Sequence, residues 1–254
     1  MTATGPAGAK PTVVLVHGVW GDATGWDGVT RRLQADGYPV LAPANPLRGL
    51  AADAAYVASV LDTVPGPVVL VGHSYGGAVI TNAAAGKAHV KALVYVAGFA
   101  LEEGEDTGTA IGRHPGSRIV PPGLPGATTT GRPFPQPGGA PGLDVYINPD
   151  RFREIFVADV SEETAAAMAA AQRPAAVAVL QEKSGAPAWK ALPCWALVAT
   201  RDNVIGTANV RFMAERAGAT IVEVEASHAV HVSRPAEVAD LIRTAAAAVA
   251  PGGA

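Results

Sequence analysis

A serine that could act as a nucleophile lies in the sequence GHSYG, residues 72–76. The short apolar run before it, residues 68–71, is typical of a buried strand, and the alanine-rich stretch from residue 75 predicts a helix. A serine at such a strand-to-helix turn presents its hydroxyl above the sheet, beside free N–H groups at the helix N-terminus. A hydroxyl needs a base to take its proton. The motif therefore predicts that Ser74 is a catalytic nucleophile with a base elsewhere in the chain.

The base and its carboxylate partner are expected on loops after other strands, because the carboxyl ends of parallel strands share one edge of a sheet. Of six histidines, His228 meets this condition, directly after the predicted strand 220–224, and His231 is the alternative. Asp202 follows the predicted strand 195–199 and could fix the tautomer of the imidazole. The order Ser74, Asp202, His228 is that of α/β-hydrolases. Two other histidines are expected only to support neighbouring turns: His17 and His73.

Acyl transfer by such a triad also requires hydrogen-bond donors for the oxyanion that develops on the substrate. One candidate is the backbone N–H of Tyr75, directly after the serine. The other is the N–H of Val19, in the turn after the predicted strand 12–16, where Gly18 allows a close backbone approach. These two N–H groups are the predicted oxyanion hole.

Composition excludes several other functions. The 19 basic and 22 acidic residues give a net charge of −3 without a basic cluster, so nucleic acid is not an expected partner. The single cysteine, Cys194, excludes an internal disulfide and a multi-thiolate metal site, and we expect it to be a buried, inert thiol. No phosphate-binding, dinucleotide-binding or zinc-protease motif is found, so neither cofactor nor metal is predicted. Without a secretory signal or a long apolar run, we expect a cytoplasmic protein that does not bind membranes.

The elements around these residues predict an α/β fold with a mostly parallel sheet of about six strands flanked by helices. Apolar runs without polar alternation are typical of strands covered on both faces. The predicted strands are residues 12–16, 39–42, 68–71, 92–97, 195–199 and 220–224, and the predicted helices are residues 26–35, 50–63, 75–85, 208–217 and 235–249. Gly37 and Gly218 should end two helices, and Pro235 should begin the last.

A long segment interrupts this alternation. Residues 102–142 are rich in Gly and Pro, and the segment between residues 97 and 195 contains no strand that we can predict. Short helices are predicted at residues 151–157, 162–171 (capped by Ser161) and 175–182. We therefore predict a flexible N-terminus at residues 1–11, a core at 12–100 and 192–254, and an inserted lid at 101–191 that covers one end of the sheet.

Four sequence strings resemble the α/β-hydrolase fold superfamily: LVHGVWGDATGW, LVGHSYGGAVI, LVATRDNVI and EVEASHAVHVSRPAEVADLI. More narrowly, they resemble the short esterase branch with bacterial carboxylesterases, plant methylesterases and hydroxynitrile lyases. With their flanking elements they cover residues 12–100 and 192–248. The resemblance implies the hydrolase fold and the triad Ser74, Asp202 and His228.

The same resemblance favours ester hydrolysis over C–C lysis. Hydroxynitrile lyases carry Thr where this chain has Gly18, and Lys where it has Ala229. We expect a small to medium hydrophobic ester or lactone as substrate, in an apolar pocket lined by the inserted segment. The aromatic residues available there are Phe134, Tyr146, Phe152, Phe156 and Trp189, with Trp20 near the oxyanion turn, but we expect most of them only to pack the insertion on the core and name none as a substrate contact. A hydroxynitrile lyase, a small-molecule receptor and an acyl-transfer enzyme remain alternatives, and the sequence leaves the oligomeric state open.

Overall fold

The computed structural model describes residues 10–136 and 138–250, so most of the predicted flexible N-terminus lies outside the described residues. The described chain forms nine strands: β1 Thr12–Val16, β2 Val40–Leu41, β3 Val68–His73, β4 Val90–Val96, β5 Thr129–Phe134, β6 Gly142–Ile147, β7 Ala175–Ala176, β8 Cys194–Ala199 and β9 Thr220–Val224. Its α-helices are α1 Asp27–Ala35, α2 Leu50–Leu61, α3 Tyr75–Ala83, α4 Thr107–Ile111, α5 Pro149–Phe156, α6 Glu162–Ala170, α7 Ala178–Gln181, α8 Thr207–Arg216, α9 Val230–Ser233 and α10 Pro235–Ala248.

The main sheet has the strand order β2-β1-β3-β4-β8-β9, and every neighbouring pair is parallel. Successive side chains of a strand point to opposite faces of the sheet, so the side chains of one apolar run pack into two hydrophobic cores, one on each face. Val13 and Leu15 of β1 pack in the core beneath α1 and α10, whereas Val14 and Val16 pack in the core beneath α2 and α3. The prediction of an α/β fold with a six-stranded parallel sheet is confirmed.

The predicted elements of this core begin and end within two residues of the observed ones. Gly37 and Gly218 adopt the positive φ angles of helix-ending residues, +80° and +62°. Pro235 occupies the first turn of α10, where the N–H that proline lacks would have no hydrogen-bond acceptor within the helix. In the inserted segment, the Ser161 side chain caps α6 by accepting a hydrogen bond from the Thr164 N–H, as predicted.

The prediction that the inserted segment lacks strands is wrong. Strands β5, β6 and β7 form an antiparallel sheet in that order. Pro133 is tolerated because β5 is an edge strand whose other side has no partner strand among the described residues. The predicted helix 175–182 is instead the short strand β7 followed by α7, because Ala175 and Ala176 pair with β6.

The insertion, residues 101–191, docks on loops that follow strands of the main sheet. The Trp20 indole N–H, after β1, donates a 2.9 Å hydrogen bond to the carbonyl of Val145 in β6. The Arg48 guanidinium, in the loop between β2 and α2, lies 2.8 Å from the Asp144 carboxylate. The insertion therefore covers the carboxyl end of the sheet, where the predicted site residues lie.

Candidate active site

Ser74 occupies a strained turn between β3 and α3, with φ 53° and ψ −125°. Positive φ in a residue other than glycine is unfavourable and is concentrated at functional sites. Only glycine fits on either side: a Cβ at Gly72 would lie 2.4 Å from the Gly76 carbonyl oxygen, and one at Gly76 would lie 2.3 Å from that of Val16. The packing thus explains both glycines of the motif.

Asp202 and His228 are brought together by the loops after β8 and β9. Asp202 Oδ2 lies 2.8 Å from His228 Nδ1, and both side chains are fully buried. Asp202 Oδ1 accepts hydrogen bonds from the N–H groups of Val204, at 2.8 Å, and Ile205, at 3.0 Å. A carboxylate held in this way favours the imidazole tautomer with its proton on Nδ1, which leaves Nε2 free to accept a proton.

The loop of His228 packs directly against the turn of Ser74. His73, the residue before Ser74, donates from Nε2 to the His228 carbonyl oxygen at 3.0 Å, and the two rings lie 4.8 Å apart. Ser74 Oγ and His228 Nε2 are both buried without a hydrogen-bond partner among the described residues, so the two atoms do not bond to each other. Buried polar atoms are rarely left unpaired, and catalytic hydrogen bonds often tighten only when substrate binds.

The two predicted donors of the oxyanion hole belong to the turns after β1 and β3. Within the part of the chain that the structure describes, the N–H groups of Val19 and Tyr75 make no hydrogen bond. The turn after β1 also touches the serine, because a Cβ at Gly18 would lie 2.6 Å from Ser74 Cβ and 3.2 Å from Ser74 Oγ. A side chain at position 18 therefore has no room unless the turn or the serine moves.

Two further histidines complete a buried cluster of imidazoles. The His231 ring lies 4.1 Å from that of His73 and 4.6 Å from that of Trp26, and no described carboxylate forms an ion pair with it. Burial, together with the neighbouring imidazoles, lowers the pKa of His231 to about 3 and that of His73 well below its usual value. Of the two candidate bases, only His228 has a carboxylate partner within residues 10–136 and 138–250.

His17 stabilises the neighbouring loop, in agreement with its predicted supporting role. Its Nε2 accepts the N–H of Asn45 at 2.9 Å, while its Nδ1 donates to the carbonyl of Gly18 at 2.9 Å. Burial lowers the pKa of His17, so the neutral ring that makes both bonds is favoured. The ring thus connects the turn after β1 to the loop after β2.

A buried carboxylate that the sequence analysis missed supports the residue after the nucleophile. Asp53 Oδ2 accepts a 2.8 Å hydrogen bond from the Tyr75 hydroxyl, and Asp53 Oδ1 accepts the Arg48 N–H at 3.1 Å. Burial raises the pKa values of both Asp53 and Tyr75. Asp53 shares the buried face of α2 with Leu50 and Val57, and a lone acid on an apolar helix face was the signal available in the sequence.

A cavity of about 280 Å³ lies beside these residues, between the turn after β1 and helix α6. Trp20 and Phe156 line it and meet edge to face with ring centroids 6.2 Å apart. Ser74 and His228 are not among its lining residues, but Gly18 and His73 are. Of the aromatic residues available for a pocket, four do not line this cavity: Phe134, Tyr146, Phe152 and Trp189.

Residues 10–136 and 138–250 contain no group of three or more His, Cys, Asp or Glu side chains placed to hold a metal ion. In the same residues, no helix is both long enough and apolar enough to cross a membrane. Cys194 is buried, and desolvation raises the pKa of its thiol to about 12.

The parallel sheet and the strained serine turn together define a hydrolase fold, and comparisons with known proteins agree. A family model described as the alpha/beta hydrolase family matches residues 13–241. The chain therefore belongs to the alpha/beta hydrolase family. A search of curated proteins finds no significant match.

Solved structures of esterases share the fold of this chain. Polyneuridine aldehyde esterase superposes with a TM-score of 0.77 at 18% identity, covering 92% of this chain and 98% of its own. A methylesterase from Arabidopsis gives a TM-score of 0.72 at 20% identity, covering 92% and 98%. A pyrethroid hydrolase from Sphingobium faniae JZ-2 gives 0.70 at 24% identity, covering 93% and 97%. At these identities the similarity establishes the fold alone.

Proposed function

We propose that this protein is a serine hydrolase that cleaves carboxylic esters through Ser74, His228 and Asp202. The observation that carries the proposal is the buried 2.8 Å contact between Asp202 Oδ2 and His228 Nδ1. It leaves His228 Nε2 without a described partner, and the loop that carries His228 packs on the turn of Ser74. Polyneuridine aldehyde esterase, the methylesterase and the pyrethroid hydrolase, which share the fold, are named for hydrolytic activities.

In the proposed mechanism, His228 Nε2 takes the proton of Ser74 as its Oγ attacks the ester carbonyl. Asp202 stabilises the imidazolium that forms. The N–H groups of Val19 and Tyr75 donate to the oxyanion, and each such donor contributes roughly 3 kcal/mol in comparable sites. His228 then protonates the leaving alcohol, and water, activated by the same imidazole, releases the acid from the acyl-enzyme.

The surroundings favour a small, apolar substrate. The neighbouring cavity of about 280 Å³ lies at the lower end of ligand-pocket volumes, and Trp20, Phe156 and Met168 contribute its apolar lining. Among the alternatives, a hydroxynitrile lyase is disfavoured, because Gly18 leaves no room for the threonine of those enzymes and the fully buried Ala229 supplies no cation. We therefore expect a small to medium hydrophobic ester or lactone.

Loss of the nucleophile tests the proposal directly. Ser74→Ala should abolish turnover of p-nitrophenyl esters graded by acyl length, because the remaining groups cannot form an acyl-enzyme. Ser59→Ala, which removes an exposed serine hydroxyl on α2, should retain the wild-type rate. Wild-type turnover by Ser74→Ala would refute the proposal, and a single turnover by the wild-type protein would favour the receptor alternative.

The assignment of the base is tested by comparing two histidines. His228→Ala should lower kcat by about 10³-fold or more, since it removes the proton acceptor. His231→Ala should keep most of the activity, because no described carboxylate pairs with His231 and its ring packs against His73 and Trp26. The reverse result would transfer the role to His231.

A further inference from the structure

The residues on both sides of His228 are hydrogen-bonded to the insertion. Ser227 donates twice to Asp159, from its N–H to Oδ2 at 3.1 Å and from its hydroxyl to Oδ1. Ala229 donates its N–H to the carbonyl oxygen of Phe156 at 3.1 Å. The loop that carries His228 is thus held by residues 156–159, at the last residue of helix α5 and just beyond it.

The same end of α5 also contacts the loop of Asp202. The side-chain amide of Asn203 donates a 3.0 Å hydrogen bond to the carbonyl oxygen of Glu154. The ring of Phe156 packs on that of His228 with centroids 5.3 Å apart. One short part of the insertion therefore touches both loops that supply the proposed proton relay.

Both carboxylate oxygens of Asp159 accept hydrogen bonds from Ser227. The side chain is half-buried and forms no ion pair with any described cation. Although burial acts to raise the pKa of the Asp159 carboxyl, the hydroxyls of Ser227 and Ser233 hold it below its usual value. A surface ion pair would tether the insertion loosely, whereas a carboxylate that accepts two hydrogen bonds from one residue defines the position of that residue.

We propose that Asp159 is a positioning residue that sets the place of His228 by holding Ser227; this inference rests on the proposed ester hydrolysis. Asp202 orients the ring through Nδ1, but the distance from Nε2 to Ser74 Oγ depends on where the backbone of His228 lies. That backbone is held at its own carbonyl by His73, at the next N–H by Phe156 and at the preceding residue by Asp159. Loss of one of these three anchors lets the imidazole drift from the serine.

The contact also assigns residues 156–159 to the active site and not to a moving lid. These residues cannot swing away from the core without breaking the hydrogen bonds to Ser227 and Ala229.

The test is turnover per active site in variants of Asp159. Active sites are counted by stoichiometric phosphonylation of Ser74, so that misfolded protein does not enter the rate. Asp159→Ala should lower kcat about 10- to 100-fold with KM changed less than about threefold, because a displaced catalytic group slows chemistry without altering substrate binding. Asp159→Asn keeps one acceptor oxygen, so its kcat should lie between those of Asp159→Ala and the wild type. It replaces Asp159→Ala as the test variant if that protein does not fold.

Two controls make the result specific. Asp150→Ala removes an exposed acid from the first turn of α5 that has no described ion pair, and it should turn over at the wild-type rate. Ser227→Ala should lower kcat less than Asp159→Ala, because the Ser227 N–H can still donate to Asp159. The double variant should have the same kcat as Asp159→Ala alone, since the two substitutions remove the same interaction.

An unchanged kcat per active site in both Asp159 variants would overturn the inference, as would an equal fall in Asp150→Ala. Because Ser74→Ala is assayed beside them, the two failures are separable. Activity that survives Ser74→Ala defeats the proposed function itself. Activity that depends on Ser74 but not on Asp159 defeats only the positioning role.

Discussion

The Gly18→Ala substitution should slow ester hydrolysis strongly although it adds a single methyl group. A Cβ at this position would lie 2.6 Å from Ser74 Cβ, 2.9 Å from the His73 carbonyl oxygen and 3.2 Å from Ser74 Oγ. Carbon atoms in contact prefer about 3.5–4.0 Å, so the turn and the serine must separate by roughly 1 Å.

That displacement acts on the reacting atoms. The turn carries the N–H of Val19, so the movement changes the distance between this donor and an oxyanion formed at Ser74. A 1 Å misplacement lowers an enzymatic rate about 100-fold, which is roughly 2.7 kcal/mol of transition-state stabilisation. The overpacked site should also lose about 1–3 kcal/mol of stability, since the two nearest atoms, Ser74 Cβ and the His73 carbonyl oxygen, cannot rotate away.

Steady-state hydrolysis of a p-nitrophenyl ester measures the effect, with the unfolding midpoint of each variant recorded beside it. Gly21→Ala is the matched control, because it adds the same methyl group to the same turn where no other atom lies within 4 Å. We expect the control to remain within about twofold of wild type. If Gly18→Ala were equally active, the turn after β1 would not lie against the nucleophile, and the reasoning would be refuted.

Three further predictions follow from burial and charge. Burial depresses the pKa values of His73 and His231, so the unfolded chain binds protons at these histidines before the folded protein does as the pH falls. The free energy of unfolding therefore has its full contribution from these residues above about pH 6.5 and loses it below that pH. From pH 7 to pH 5 the loss should be about 2 kcal/mol for His231, whose pKa is lowered to about 3, and His73 should add to the loss in the same direction. A free energy of unfolding that stayed constant in urea titrations would contradict this prediction. Asp202→Asn should lower kcat about 10⁴-fold by favouring the wrong tautomer of His228, and a fall below tenfold would argue against that hydrogen bond in catalysis. Cys194, whose thiol pKa is raised to about 12, should react with iodoacetamide only after unfolding, and rapid alkylation of the native protein would contradict its burial.

The insertion illustrates where sequence patterns were weakest. Strand β5 contains Gly131 and Pro133, which disfavour strands, and only its place at the edge of a three-stranded sheet makes it stable. Strand β6 alternates apolar Leu143, Val145 and Ile147 with polar neighbours, so it could have been predicted. In β5 the residue preferences oppose the strand that tertiary packing imposes, whereas in β6 the residue preferences and the packing both favour a strand.

The sequence by itself determined the parallel sheet and the serine turn. Apolar runs buried on both faces must be covered by helices, and the glycines at 72 and 76 follow from steric contacts within and beside the turn. The periodicity and the motif are local properties of the chain, although the contact that excludes a side chain at Gly76 is made with Val16 of β1.

Only the tertiary structure decided how the candidate site residues are held. His228 and His231 both follow β9 within a few residues, and the loop from β8 decides which of them meets a carboxylate. Asp53 and Asp159 reach the site from α2 and from the insertion, elements far from Ser74 and His228 in sequence. Such contacts depend on how separate elements pack together, and the spacing of residues along the chain carries no record of that packing.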